Sequence, residues 1–93
     1  MGKNAEKTGI SVENSDYHHF SMRVICDASA DQELLLNRIY GILVSFDIQY
    51  KKADGQNKGK FVRYKIPVTI PKEYRLNDLY NSLGQVEGVR TIL

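Results

Sequence analysis

Apolar and polar residues alternate along this chain in blocks of changing period, and the order of those blocks predicts a fold. From Tyr17 to Asp27 the period is two. Phe20, Met22, Val24 and Cys26 share one face, and Tyr17, His19, Ser21, Arg23 and Ile25 share the other. One apolar and one mixed face predict a strand in a sheet covered on one side only. The period then becomes helical. Leu35, Ile39, Ile42, Leu43 and Phe46 form a stripe, widened by Leu34, Leu36 and Tyr40. Ser29 followed by Gln32 reads as a capping box opening this helix, with Asp31 and Glu33 placing negative charge in its first turn.

Ile48 and Tyr50 alternate with Gln49 and Lys51, which predicts a short second strand. The turn formers from Ala53 to Gly59 predict a hairpin connection. Val62, Tyr64, Ile66, Val68 and Ile70 then share a face opposite Phe61, Arg63, Lys65 and Thr69, the clearest strand in the chain. Pro67 lies within it and has no ladder donor, so an edge, a bulge or a fraying end is expected there. Pro71 is placed to open a second helix carrying Leu76, Leu79, Tyr80 and Leu83. Gly84 is placed to stop that helix, Gly88 to turn the chain, and Val89 to Leu93 to form the last strand. Residues 1–16 are polar apart from a few scattered apolar side chains, and read as a flexible leader or linker.

Right-handed crossovers fold this βαββαβ string into an α+β, ferredoxin-like sandwich. Its four-stranded antiparallel sheet has the order 4-1-3-2, with both helices on one face. That architecture hosts many functions, so it names none.

Composition narrows the classes. A chain of 93 residues supports one small domain with limited burial, for which dimerisation through a sheet edge or face is a reasonable expectation. A net charge of +2 is too small to argue for nucleic acid or membrane by itself. A single cysteine excludes an intrachain disulfide and points to a reducing, cytoplasmic setting. No apolar run approaches the roughly 20 residues of a membrane helix, and the N-terminus has no apolar signal-peptide region.

The segment from Met22 to Ile39, in which a strand ends in an acidic loop and a Leu-Leu pair enters a helix, resembles the opening of an ACT domain. The segment from Leu76 to Ile92, with its leucine-spaced helix leading through Val86-Glu87-Gly88-Val89 into a strand, is similar to the ACT finish. The resemblance spans residues 17–93 and implies a non-catalytic regulatory domain. It places a ligand, if one binds, at Asp27, Ser29, Asp31 and Gln32. Amino-acid-binding ACT domains carry a glycine just before the first helix; the matching position here is Gln32 or Glu33, whose side chain obstructs that approach. ACT-like domains at the cytosolic C-terminus of MgtC/SapB-type membrane proteins, a family associated with magnesium homeostasis, resemble this chain in three respects. They lack that glycine, have a first strand of Arg23-Val24-Ile25-Cys26 type, and follow a polar linker. The resemblance thus implies a homodimer or an attached membrane module as partner.

Lys58-Gly59-Lys60-Phe61-Val62-Arg63-Tyr64 partly matches an RNA-recognition signature and lies on the strand where that signature belongs. It would present Phe61 for base stacking within a basic hairpin of Lys51, Lys52, Lys58, Lys60, Arg63 and Lys65. One stacking aromatic is absent, however, and the first strand offers His19 or Ser21 where a second is wanted. A solvated basic hairpin is the plainer alternative. His18 and His19 are strand neighbours and point to opposite faces, so they do not chelate one ion. Cys26 aligns with the apolar face and reads as a small buried hydrophobe. No catalytic constellation, cofactor motif or metal-ligand spacing is present, and the glycines at 55, 59, 84 and 88 all read as turn residues. Either solvent exposure or a partner interface accounts for the mixed sheet face, with His19, Ser21, Arg23, Phe61, Arg63 and Lys65 as its candidate contacts.

Overall fold

The computed structural model describes residues 17–72 and 76–93. The expected leader at 1–16 lies outside the described residues. The elements are β1 (Tyr17–Asp27), α1 (Gln32–Ser45), β2 (Gln49–Tyr50), β3 (Asp54–Lys58), β4 (Phe61–Pro71), α2 (Leu76–Gly84) and β5 (Val89–Ile92). The sheet runs β2-β4-β1-β5, and β3 also pairs with β4. With β2 and β3 taken as two halves of one edge, this is the expected ferredoxin-like order. The five strands replace the four expected because the segment read as a hairpin connection is itself mostly strand. Gly55 consequently sits inside β3 and not in a turn.

Pro67 explains why the edge is split. Gln49 pairs with Thr69 and Tyr50 with Val68, whereas Asp54 pairs with Lys65, so three residues of the edge face two of β4. The amide of Lys51 donates to the Pro67 carbonyl at 2.9 Å. A residue's N–H and C=O point the same way in an antiparallel strand, so the donor that Pro67 lacks also faces this edge. The edge bulges where no donor awaits it. Pro67 is therefore compatible with a strand paired on both sides.

The core lies between the sheet and the helices. Met22, Val24 and Cys26 of β1 and Val62, Tyr64, Ile66, Val68 and Ile70 of β4 are buried against Leu35, Ile39 and Leu43 of α1 and Leu79 and Leu83 of α2. Ile42 and Phe46 pack at the margin. Leu34, expected to widen the stripe, is instead exposed, because the buried arc of α1 is only as wide as the sheet beneath it.

Two local expectations are corrected. Asp31, not Ser29, caps α1: its side chain accepts from the Leu34 amide at 3.2 Å. Pro71 ends β4, paired with Tyr17, and does not open α2. Burial pushes the Cys26 thiol up to about 11, with a further contribution from the neighbouring Asp27 charge. A buried thiol held protonated at neutral pH is a packing group.

Candidate interaction surface and ligand loop

The loop at the C-terminal end of β1 closes on itself. Its central residue is Gln32, whose Nε2 donates to the carbonyls of Asp27 at 2.9 Å and Ala30 at 2.7 Å. Its Oε1 accepts from the Tyr64 hydroxyl at 2.8 Å, rising from the core side of β4. Burial raises the Tyr64 phenol above its ordinary value, which keeps it a donor. One amide side chain thus ties the loop, the helix start and the sheet together. Neighbouring backbone groups are also committed: Asp27 N–H donates to Gly88 O at 2.8 Å, and Ala28 N–H to Lys60 O at 2.8 Å. Asp31 is occupied as the helix cap. Ser29 remains exposed and has no hydrogen-bond partner among the described residues.

Gly88 is required where the last strand meets this loop. Its φ is +98°, and a Cβ there would lie 2.7 Å from Leu35 Cδ1 and 3.0 Å from Ala30 Cβ. Gly55 has a different reason: its missing Cβ leaves room for the Tyr64 ring, which a Cβ would meet at 2.6 Å.

Arg90 belongs to this region and has no signal in the sequence. The register between β1 and β5 shifts between Ile25, opposite Thr91, and Cys26, opposite Val89. Arg90 is the extra residue of that bulge. It turns to the open face, where its Nε lies 3.4 Å from Asp27 Oδ1 and its guanidinium 5.8 Å from the Phe61 ring centroid. Simple alternation does not foresee such a displacement. Together Asp27, Ala28, Ser29, Lys60, Phe61 and Arg90 border an open hollow of about 490 Å³.

The open face of the sheet carries the other candidates. The pairs His19 with Thr69, Ser21 with Pro67, Arg23 with Lys65, Ile25 with Arg63 and Asp27 with Phe61 lie directly across from one another. The structure therefore brings all six predicted interface residues onto one face. His19 Nδ1 and Thr69 Oγ1 are 3.0 Å apart. Where the edge bulges opposite Pro67, His19, Ser21, Gln49, Lys51 and Thr69 border a hollow of about 360 Å³. Arg23, Arg63 and Lys65 are exposed, and none forms an ion pair among the described residues. Phe61, the proposed stacking residue, is 36% exposed and lies under Arg90.

Among the described residues, no group of three or more His, Cys, Asp or Glu is placed to hold a metal ion. No helix among them is long and apolar enough to cross a membrane.

No protein-family model matches the chain, and no curated protein sequence matches it. Solved structures do. The ACT domain of the GTP pyrophosphokinase of Chlorobium tepidum superposes with a TM-score of 0.62 at 18% identity, covering 83% of this chain and 96% of that one. The C-terminal domain of the MgtC protein of Mycobacterium tuberculosis superposes with a TM-score of 0.69 at 18% identity, covering 84% of this chain and 85% of that one. The fold is ACT-like.

Proposed function

We propose that this ACT-like domain is a non-catalytic regulatory or interaction module. In this reading it is the cytosolic C-terminal domain of an MgtC/SapB-type membrane protein, and it works through its sheet by dimerising. Its likeness in fold to the MgtC C-terminal domain supports the placement. The observation that carries the emphasis on the sheet is Gln32, which fills the loop where an ACT ligand would sit and uses that loop's own carbonyls.

Face-to-face pairing of two copies would set Arg23, Arg63 and Lys65 against themselves, because a twofold interface meets its own patch. The β3 edge suits a second copy better. The bond from Lys51 N–H to Pro67 O fixes the parity of the ladder, so Gly55 and Asn57 direct their backbone groups outward from the sheet. An antiparallel twofold centred on Gln56 pairs Gly55 with Asn57 of the second copy. It also places Asp54 opposite Lys58, a favourable cross-strand pair, at both ends. The bulge on one side and the hairpin turn on the other limit the contact to β3, so a weak dimer is the expectation.

Gln56→Cys tests this arrangement. Under mild oxidation it forms a symmetric disulfide dimer, since directly opposed strand residues approach within bridging range. Lys58→Asp on that background reduces cross-linking, and adding Asp54→Lys restores it. A monomer in sedimentation at high concentration that does not cross-link contradicts the dimer.

A ligand response remains the second reading, favoured by the hollow beside Ser29 and Arg90. Titrating amino acids, nucleotides and magnesium while following backbone amide resonances tests it. Shifts confined to residues 27–32, 60–61 and 90 support a sensor, and an unchanged spectrum leaves the interaction role.

A further inference from the structure

The small net charge of the chain conceals a separation of charge across the sandwich. On the helices and the loops that border them, Asp31, Glu33, Asp47, Asp78 and Glu87 are exposed, against Arg38 and Lys72 among the described residues. On the open sheet face stand Arg23, Lys58, Arg63, Lys65 and Arg90, against Asp27 and Asp54. Lys51 borders the same face beside the Pro67 hollow. Arg90 answers Asp27 locally, and Asp54 lies across from Lys65. Arg23, however, lies directly opposite Lys65 on its other side, with Arg63 diagonal to it. Like charges in direct cross-strand register oppose folding. Nothing in the packing of the face requires them, since all three are exposed.

We propose that the open sheet face docks on an anionic lipid surface. The proposal deepens the reading of the sheet as the working surface, and names its partner. Three observations favour lipid over other anions. The cations are spread over neighbouring strands of one face and do not follow a single groove that would track a polymer. The hollow beside Pro67 is lined by polar as well as apolar side chains, unlike the apolar pocket in which a protein partner's aromatic anchor commonly seats. Phe61, at the end of that face, has Arg90 over its ring and no stacking companion on β1, where Asp27 lies opposite it. A lipid surface needs only summed charge in one plane, each basic residue contributing additively. A β3 dimer strengthens the effect, because an antiparallel edge twofold keeps both open faces on the same side.

The test is co-sedimentation of the full chain with vesicles, either of phosphatidylcholine alone or of phosphatidylcholine with about one-third phosphatidylglycerol. The chain pellets with the anionic vesicles only, and is released as salt rises from about 0.05 to about 0.5 M. Arg63→Gln and Lys65→Gln each lower the partition coefficient about five-fold. Glu33→Gln, on the opposite layer, leaves it within about two-fold. Circular dichroism of each variant confirms that it is folded. Equal pelleting with both vesicle types, no pelleting, or tighter binding of a single-stranded RNA oligonucleotide than of anionic vesicles overturns the proposal. A chain that does not pellet but still forms the Gln56 cross-link retains the dimer and loses the lipid assignment.

Discussion

On the covered face of the sheet, Met22, Val24 and Cys26 lie opposite Ile66, Tyr64 and Val62, and all six are buried. One residue along, on the open face, Arg23 lies opposite Lys65 and Ile25 opposite Arg63, and only Ile25 is shielded from solvent to any degree. The same two strands, in the same register, thus carry two unlike sets of side chains. The covered set follows from burial: each apolar group withdrawn from water contributes favourably, and any gap it leaves is felt. The open set does not follow from stability, because its central pair is repulsive and its members pack against little. Side chains that stability does not select are where function is to be sought.

The difference is largest under truncation. Ile66→Ala, which empties a fully buried position, lowers unfolding free energy by about 3–4 kcal/mol in urea denaturation. Arg63→Ala on the open face changes it by less than about 0.5 kcal/mol. A comparable loss at both positions would erase the distinction between the faces.

Alkaline pH probes the covered face by another route. The Cys26 thiol titrates at about 11 in the fold against an ordinary 9.0. Between those values the unfolded chain has released its proton and the native state has not. Unfolding is therefore increasingly favoured as pH rises from about 9 to about 11, by about 2–3 kcal/mol in all. The raised Tyr64 phenol acts in the same direction. Cys26→Ala lowers overall stability but flattens the pH dependence, measurable as melting temperature against pH. An equally steep decline in that variant would assign the effect elsewhere.

Smaller still is the link between the covered face and the loop. Gln32→Ala removes the partner of the Tyr64 hydroxyl and of two backbone carbonyls, and lowers stability by about 1–2 kcal/mol. Hydrogen exchange in that variant quickens at residues 27–34 and not in the centre of β4. Uniform quickening would mean that the loop is not separately held.

The covered face was almost wholly legible in the sequence, because period-two and helical patterns report burial directly. Both long strands and both helices follow from them. What escaped was set by registers that alternation does not encode. The bulge opposite Pro67 was one of three possibilities at that residue, and only pairing on both sides of β4 selects it. The bulge that aims Arg90 at Asp27 and Phe61 left no mark, so a contributor to the open face was missed. Ser29 and Gln32 match a capping box in spacing, but Gln32 reaches Tyr64 on a strand 32 residues away, and Asp31 takes the cap. Polar side chains with long-range partners defeat local rules. The open-face residues were all placed on one side correctly, yet the repulsive register of Arg23 and Lys65 became visible only with the strands aligned.

That register offers the most direct test. A double-mutant cycle with Arg23→Gln, Lys65→Gln and their combination isolates the interaction between the two side chains. An unfavourable coupling of a few tenths of a kcal/mol is expected at low salt, vanishing at high salt, with Arg23→Gln at least as stable as the parent and Lys65→Gln offset by the loss of its cross-strand partner Asp54. A favourable coupling, or a clearly less stable Arg23→Gln, would contradict it: Arg23 would then be structural, and the open face would lose its claim as the working surface.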